Sequence, residues 1–275
     1  TRSGPQSRGL GDVYKRQTHP MIGDIEGLKV TRFAAEEFIS QSRFANVSKA
    51  VHVGVSTTAD PVVETRWLQS IADAAGFPQG IVAKCDLSSA DAAATLARHL
   101  ESPNMRGVRD HGEPGSFRDP QWLEGYRRLG ELDLIFCHEV GVERMDEATE
   151  LVRAHPNVSV CLDHCAMPRE LGPQGFEVWR AAISTMAELP DASAKISALG
   201  QWGRRWTVES AGPWVSALIE AFGTDRVFFG SNFPVDGLFS TYSDLVSALR
   251  TLVADYSAEE QRAMLAGNAE RIFRI

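Results

Sequence analysis

From residue 49 onward, short β-branched runs alternate with longer amphipathic stretches, seven times over. The runs are "KAVHVGV" (49–55), "GIVAKCDL" (80–87), "MRGVRDH" (105–111), "LIFCHEV" (134–140), "NVSVCLDH" (157–164), "ASAKISAL" (192–199) and "RVFFGSN" (226–232). Helical patterns follow at 60–76, about 88–100, 120–131, 143–154, 174–188, 208–222 and 242–254, and "SAEEQRAMLAGNAERIFRI" closes the chain as a last helix. The first helix carries its own punctuation, with Asp60 as N-cap, Pro61 in the first turn and Gly76 as the stop. Strands that alternate with helices read as parallel βαβ units. A doubly wound sheet seldom carries so many uniform repeats, and no G-x-G-x-x-G follows any of these strands.

A (β/α)8 TIM barrel needs eight strands, and seven are visible. The expectation is an α/β barrel, N-terminally truncated so that the first strand is missing, with the visible strands in positions two to eight. Residues 1–17, "TRSGPQSRGLGDVYKRQ", have no apolar periodicity and resemble translated adaptor sequence. They are read as a foreign tail, and 18–275 as a single barrel domain whose segment 18–48 is the loop and helix after strand one. A barrel without that strand leaves two open edges, so the chain is expected to be unstable and inactive by itself.

Composition narrows the function classes. The 275 residues are 43% hydrophobic and carry a net charge of −8, with no basic stripe to neutralise phosphates, which argues against nucleic acid as partner. No apolar run of about 18 residues marks a membrane span. The four cysteines form no C-x-x-C pair, and no charged-then-apolar leader opens the chain, so a cytoplasmic protein with buried free thiols is expected.

In barrels of this kind chemistry sits at the C-terminal ends of the strands. Those ends offer Arg109, Asp110 and His111; His138 and Glu139; Asp163 and His164; Lys195 and Ser197; and Ser231 and Asn232, with Asp236 four residues on. Imidazoles there suggest metal ligation or acid–base work, which singles out His164 and His138. His138 and Glu139 cannot both face the axis, because strand side chains alternate. Arg109 suits a carboxylate or oxyanion clamp. Lys195 in a core strand needs a partner or a task. In the loop at 200–210, Trp202, Arg204, Arg205 and Trp206 are placed to contact an acidic or sugar-like ring.

Six stretches carry a family resemblance: "AVHVGVSTTADPVVETRWLQ" (50–69), "MRGVRD" (105–110), "CLDHCAMP" (161–168), "AKISALG" (194–200), "FFGSNFPVD" (228–236) and "GNAERIFRI" (267–275). Together they resemble the amidohydrolase-related family of metal-dependent TIM-barrel enzymes. That family includes sugar lactonases, 2-pyrone-4,6-dicarboxylate lactonase and aminocarboxymuconate-semialdehyde decarboxylases. The resemblance implies an H-x-H pair on strand one, a histidine on strand six and an aspartate at the end of strand eight. His164 matches the histidine, the H-x-H pair has no counterpart, and Asn232 stands where the aspartate belongs. A neutral amide is no base. The proton then falls to Asp236, to Glu139 or to a histidine, or the protein binds without turnover.

The reading that follows is a hydrolase opening a small lactone or cyclic ester with activated water, its substrate acidic or sugar-derived. The alternatives are a decarboxylase of a small unsaturated acid and a non-catalytic acid-binding barrel. The expected catalytic set is His164, Asp236, Asn232 and Lys195, with Arg109, Trp202 and Arg205 binding substrate. His164 and His138 would hold a divalent metal, zinc or manganese.

Overall fold

The computed structural model describes residues 18–19, 23–29, 33–55, 58–112, 115–203 and 205–275. The tail read at 1–17, and Arg204, lie outside them. All seven expected strands form: β1 (Val51–Val53), β2 (Gly80–Lys84), β3 (Met105–Arg109), β4 (Ile135–His138), β5 (Val160–Leu162), β6 (Ala192–Ile196) and β7 (Val227–Phe229). They lie side by side in chain order, and every pairing is parallel. The chain is thus an α/β protein with a curled seven-stranded parallel sheet. Among the described residues no strand pairs with the outer edge of β1 or of β7.

The connecting helices are α1 (Val62–Ala75), α2 (Ala92–His99), α3 (Pro120–Glu131), α4 (Met145–Ala154), α5 (Pro173–Ala187), α6 (Val208–Phe222) and α7 (Tyr242–Leu252). Their ends follow local chemistry. The Asp119 carboxylate accepts from the Gln121 and Trp122 N–H groups, with Pro120 at the first helical position. Gly76 ends α1 at φ +74°, a left-handed stop that suits glycine. The N-cap is Pro61 rather than the expected Asp60, one residue earlier, but the Asp60 carboxylate still accepts from the Val62 N–H at 3.1 Å. The closing helix is not continuous. It runs as Ala258–Arg262, a π turn at Ala263–Gly267, and Asn268–Phe273. The buried Asn268 amide donates to the carbonyls of Thr224 and Val227 at 2.7 Å each, tying this segment to the start of β7.

Alternation along the strands sorts the core into two layers. Ala83, Val108, Phe136, Leu162, Ala194 and Val227 face the helices, where Trp122, Tyr126, Trp179 and Trp214 fill the space. Val82, Ile135, Cys137, Cys161 and Phe228 face inward and meet Phe273 from the C-terminal segment. That segment sits at the N-terminal ends of the strands, where Lys49 Nζ reaches the Ile275 carbonyl at 3.0 Å and Arg106 Nε reaches the Arg274 carbonyl at 3.2 Å. One end of the sheet is therefore plugged by apolar side chains. The other end, where the strands finish, carries the polar residues. All four cysteines are free thiols and buried, and no helix among the described residues is long and apolar enough to cross a membrane.

Candidate active site

Four inward-facing side chains from three strand ends meet at the open end. Arg109 ends β3, Asp163 and His164 follow β5, and Lys195 lies in β6; all four are buried. Lys195 Nζ is 2.6 Å from Asp163 Oδ1, and the Arg109 guanidinium pairs with Asp163 Oδ2. A carboxylate buried alone would be costly, and here two cations satisfy it. Burial opposes ionisation of Asp163, but Lys195 and Arg109 outweigh it and hold the carboxyl below the usual carboxylate range. The same contacts overcome burial at Lys195 and Arg109 and push both upward. Gly230, just past β7, makes room for the lysine, since a Cβ there would stand 2.7 Å from Lys195 Cδ.

Glu139 lies above this trio. Its Oε2 is 3.8 Å from Arg109 Nη1, 3.9 Å from His164 Nε2 and 3.9 Å from His111 Nδ1. Parity decides between the two β4 candidates. Cys137 faces inward, so Glu139 does too, and His138 faces the helices. The His138 ring packs 5.0 Å from both Phe117 and Phe136, and neither of its nitrogens has a hydrogen-bond partner among the described residues. Burial above all lowers it to about 3. His138 therefore does not join His164 in a ligand set.

His164 opens a turn of unusual backbone. His164, Cys165, Ala166 and Met167 all have φ between +48° and +56°. Four successive non-glycine residues in this region cost roughly 1–2 kcal/mol each. Trp179 Nε1 donates to the Cys165 carbonyl at 2.8 Å, and the Met167 N–H donates to the His164 carbonyl at 2.9 Å. Ser197 Oγ lies 3.2 Å from the His164 N–H and 2.8 Å from His164 Nδ1. The turn thus holds the imidazole in one place. Burial, with Arg109 and Lys195 nearby, outweighs Asp163 and Glu139 and lowers His164 to about 4, so it is neutral at pH 7.

Asn232 (φ +53°) follows β7. Its amide nitrogen faces two acceptors at 3.3 Å, Gln201 Oε1 and Asp236 Oδ1, which leaves the carbonyl oxygen as the group it can offer a ligand. Asp236 is 1% exposed. Burial raises its carboxyl to about 7, against the opposing pull of Asn232 and the N–H groups of Gly200 and Leu199. It supports Asn232 from behind rather than facing the cleft.

A cleft of about 1510 Å³ opens between the β1 and β7 edges and reaches Arg109, His164, Lys195, Ser197 and Asn232. Neither Trp202 nor Arg205 lines it. The Trp202 ring packs 6.0 Å from Trp214 in the helix layer, and Arg205 is exposed. Trp202 therefore packs on the helix layer, while its neighbour Gln201 reaches Asn232. Sequence reasoning gave Asp163 no role and Ser197 none; the buried acid between two cations could have been inferred from an aspartate beside an inward lysine.

The described residues do not fit a metal centre. Sγ of Cys137 and Cys161 and a carboxylate oxygen of Asp163 lie within 4.8 Å of one another. Burial pushes the Cys161 thiol up, and both Asp163 oxygens are already held by cations, which disfavours a divalent ion there. Above the trio, His164 and Glu139 stand 3.9 Å apart, but no third donor among the described residues closes with them into a compact set.

A barrel-like sheet with its acid, base and cations at the strand ends is the arrangement of a (β/α)-barrel enzyme. The chain belongs to the amidohydrolase family, whose model, described as "Amidohydrolase", matches residues 25–275. It is 36% identical over 267 residues to the uncharacterized protein y4mH of Sinorhizobium fredii, covering 92% of this chain and 89% of that one. It is 26% identical over 225 residues to an L-fucono-1,5-lactonase of Burkholderia ambifaria, covering 77% and 76%. A crystal structure of an amidohydrolase from Burkholderia multivorans with bound zinc superposes with a TM-score of 0.84 at 23% identity, covering 96% of each chain.

Proposed function

We propose that this protein hydrolyses a small lactone, and that the lactone is neutral and sugar-derived rather than a carboxylic acid. The observation that carries the reading is Glu139 Oε2, 3.9 Å from His164 Nε2 and 3.8 Å from Arg109 Nη1, two residues that line the cleft. Spans of that length suit one bridging water or one substrate oxygen. The similarity to a lactonase supports the reaction class.

In this reading Glu139 accepts a proton as a water oxygen bonds to the lactone carbonyl carbon. Charge develops on the carbonyl oxygen, where the neutral His164 imidazole donates a hydrogen bond and the Arg109–Lys195 pair supplies positive potential. When the tetrahedral centre collapses, the ring C–O bond breaks and the departing oxygen takes the proton from Glu139. Asn232, which cannot act as a base, accepts a hydrogen bond from the water or from a ring hydroxyl. The balance of charge favours a neutral substrate. Arg109 and Lys195 are opposed by Asp163 and Glu139, so the two cations leave no net positive charge to attract a free carboxylate.

The test sets neutral hexono-1,5-lactones against unsaturated mono- and dicarboxylic acids. Ring opening is followed by acid release in a pH indicator, and decarboxylation by CO₂ release. Ring opening of neutral lactones is expected. CO₂ release without ring opening would replace this reading with the decarboxylase.

A further inference from the structure

Ser197 lies one residue past β6, on the same inward face as Ser193 and Lys195. It is 2% exposed. The next residue, Ala198, turns the chain at φ +58°. The Ser197 hydroxyl is thereby brought against the neighbouring strand end, where it meets His164 twice, at the backbone N–H (3.2 Å) and at ring Nδ1 (2.8 Å).

A backbone N–H can only donate, so Oγ accepts there. The hydroxyl has one hydrogen of its own, and His164 Nδ1 is its one acceptor among the described residues. Were Nδ1 protonated, Oγ would accept both bonds and a buried O–H would be left without an acceptor, an arrangement native interiors avoid. The satisfied arrangement leaves Nδ1 bare and places the ring hydrogen on Nε2.

We infer that Ser197 is a positioning residue that fixes His164 as the Nε2–H tautomer, so that the imidazole offers the cleft a hydrogen-bond donor rather than a metal-binding lone pair. The left-handed turn at 164–167 holds the backbone that this pairing requires. The donor set argues the same way, because the described residues place one carboxylate, and no compact third ligand, near Nε2. The tautomer stands on geometry alone. Only its catalytic consequence, a donor aimed at the lactone carbonyl, rests on the lactonase reading.

The experiment is a long-range ¹H–¹⁵N correlation spectrum of the ¹⁵N-labelled full chain at pH 7, with the His164 signals assigned from a His164→Gln sample. The wild type is expected to show Nδ1 as unprotonated and Nε2 as protonated. Ser197→Ala is expected to shift both signals toward the average of the two tautomers, and Ser197→Thr, which keeps the hydroxyl, to restore the wild-type pattern. If neutral lactones are substrates, Ser197→Ala lowers kcat about tenfold with KM unchanged. A wild-type spectrum with protonated Nδ1 and bare Nε2 would overturn the inference even if no variant folds. A Ser197→Ala spectrum identical to the wild type would do the same. Absence of lactone turnover with the Nε2–H pattern intact would count against the reaction and leave the tautomer standing.

Discussion

Lys195 places its ammonium 2.6 Å from the Asp163 carboxylate, binding the end of β5 to β6 at the floor of the cleft. Arg109 approaches the other carboxylate oxygen from β3. Removing the shared acid strands two buried cations. Asp163→Asn is expected to destabilise the fold by about 3–5 kcal/mol, the usual consequence of breaking a buried ion pair from one side. The sign with pH follows from the depressed folded value. The unfolded carboxyl protonates first as pH falls, so the stabilisation is complete above its ordinary value of 3.8 and is lost only in stronger acid. Urea midpoints at pH 7 check the magnitude. A midpoint equal to the wild type would mean that the trio contributes nothing to stability.

Asp236 behaves in the opposite sense. Its folded value, about 7, lies above the ordinary 3.8 because the carboxyl is buried. Between those values the unfolded chain has released its proton and the folded chain has not. The folded state therefore binds more protons, and stability falls as pH rises through that window, by on the order of 4 kcal/mol in all. Asp236→Asn should remove this slope while keeping an acceptor for the Gly200 and Leu199 N–H groups. Thermal unfolding of both proteins from pH 4 to 8 decides it, and parallel curves would contradict the assignment.

His138 is a second test of geometry over residue type. Its ring is flanked by Phe117 and Phe136, and both nitrogens are buried without a partner among the described residues. His138→Phe should leave lactone turnover within about twofold and raise stability by up to about 1 kcal/mol, since it removes polar atoms that burial penalises. Loss of turnover with the fold intact would return His138 to the site.

Much of this architecture is legible in the chain because strand and helix periods differ. The β-branched runs ending near Arg109, His164 and Lys195 all become parallel strands, and those three side chains meet as their positions at strand ends suggest. What the sequence hides is parity and depth. Alternation shows that only one of His138 and Glu139 can face inward, but which one depends on the register of Cys137 against Cys161. Asp236 sits four residues from Asn232 and looks within reach of a ligand. A turn bond from its N–H to the Asn232 carbonyl at 3.0 Å instead folds it beneath the asparagine. Trp202 reads as a ring-binding residue until the fold sets it against Trp214, a contact between segments twelve residues apart.

The asparagine at 232 has a physical answer in the same geometry. In the proposed reaction the carboxylate is Glu139, which stands on another strand end 3.9 Å from His164 Nε2. If Glu139 takes the proton from water, its neutral isostere should keep the binding site and lose the chemistry.

The most direct test is therefore the initial rate of ring opening of a neutral hexono-1,5-lactone by the wild type and by Glu139→Gln, corrected for spontaneous hydrolysis, at saturating lactone and across pH. A fall in kcat of about 100- to 10,000-fold with KM little changed is the predicted result. A Glu139→Gln enzyme that opens the lactone at the wild-type rate would contradict it.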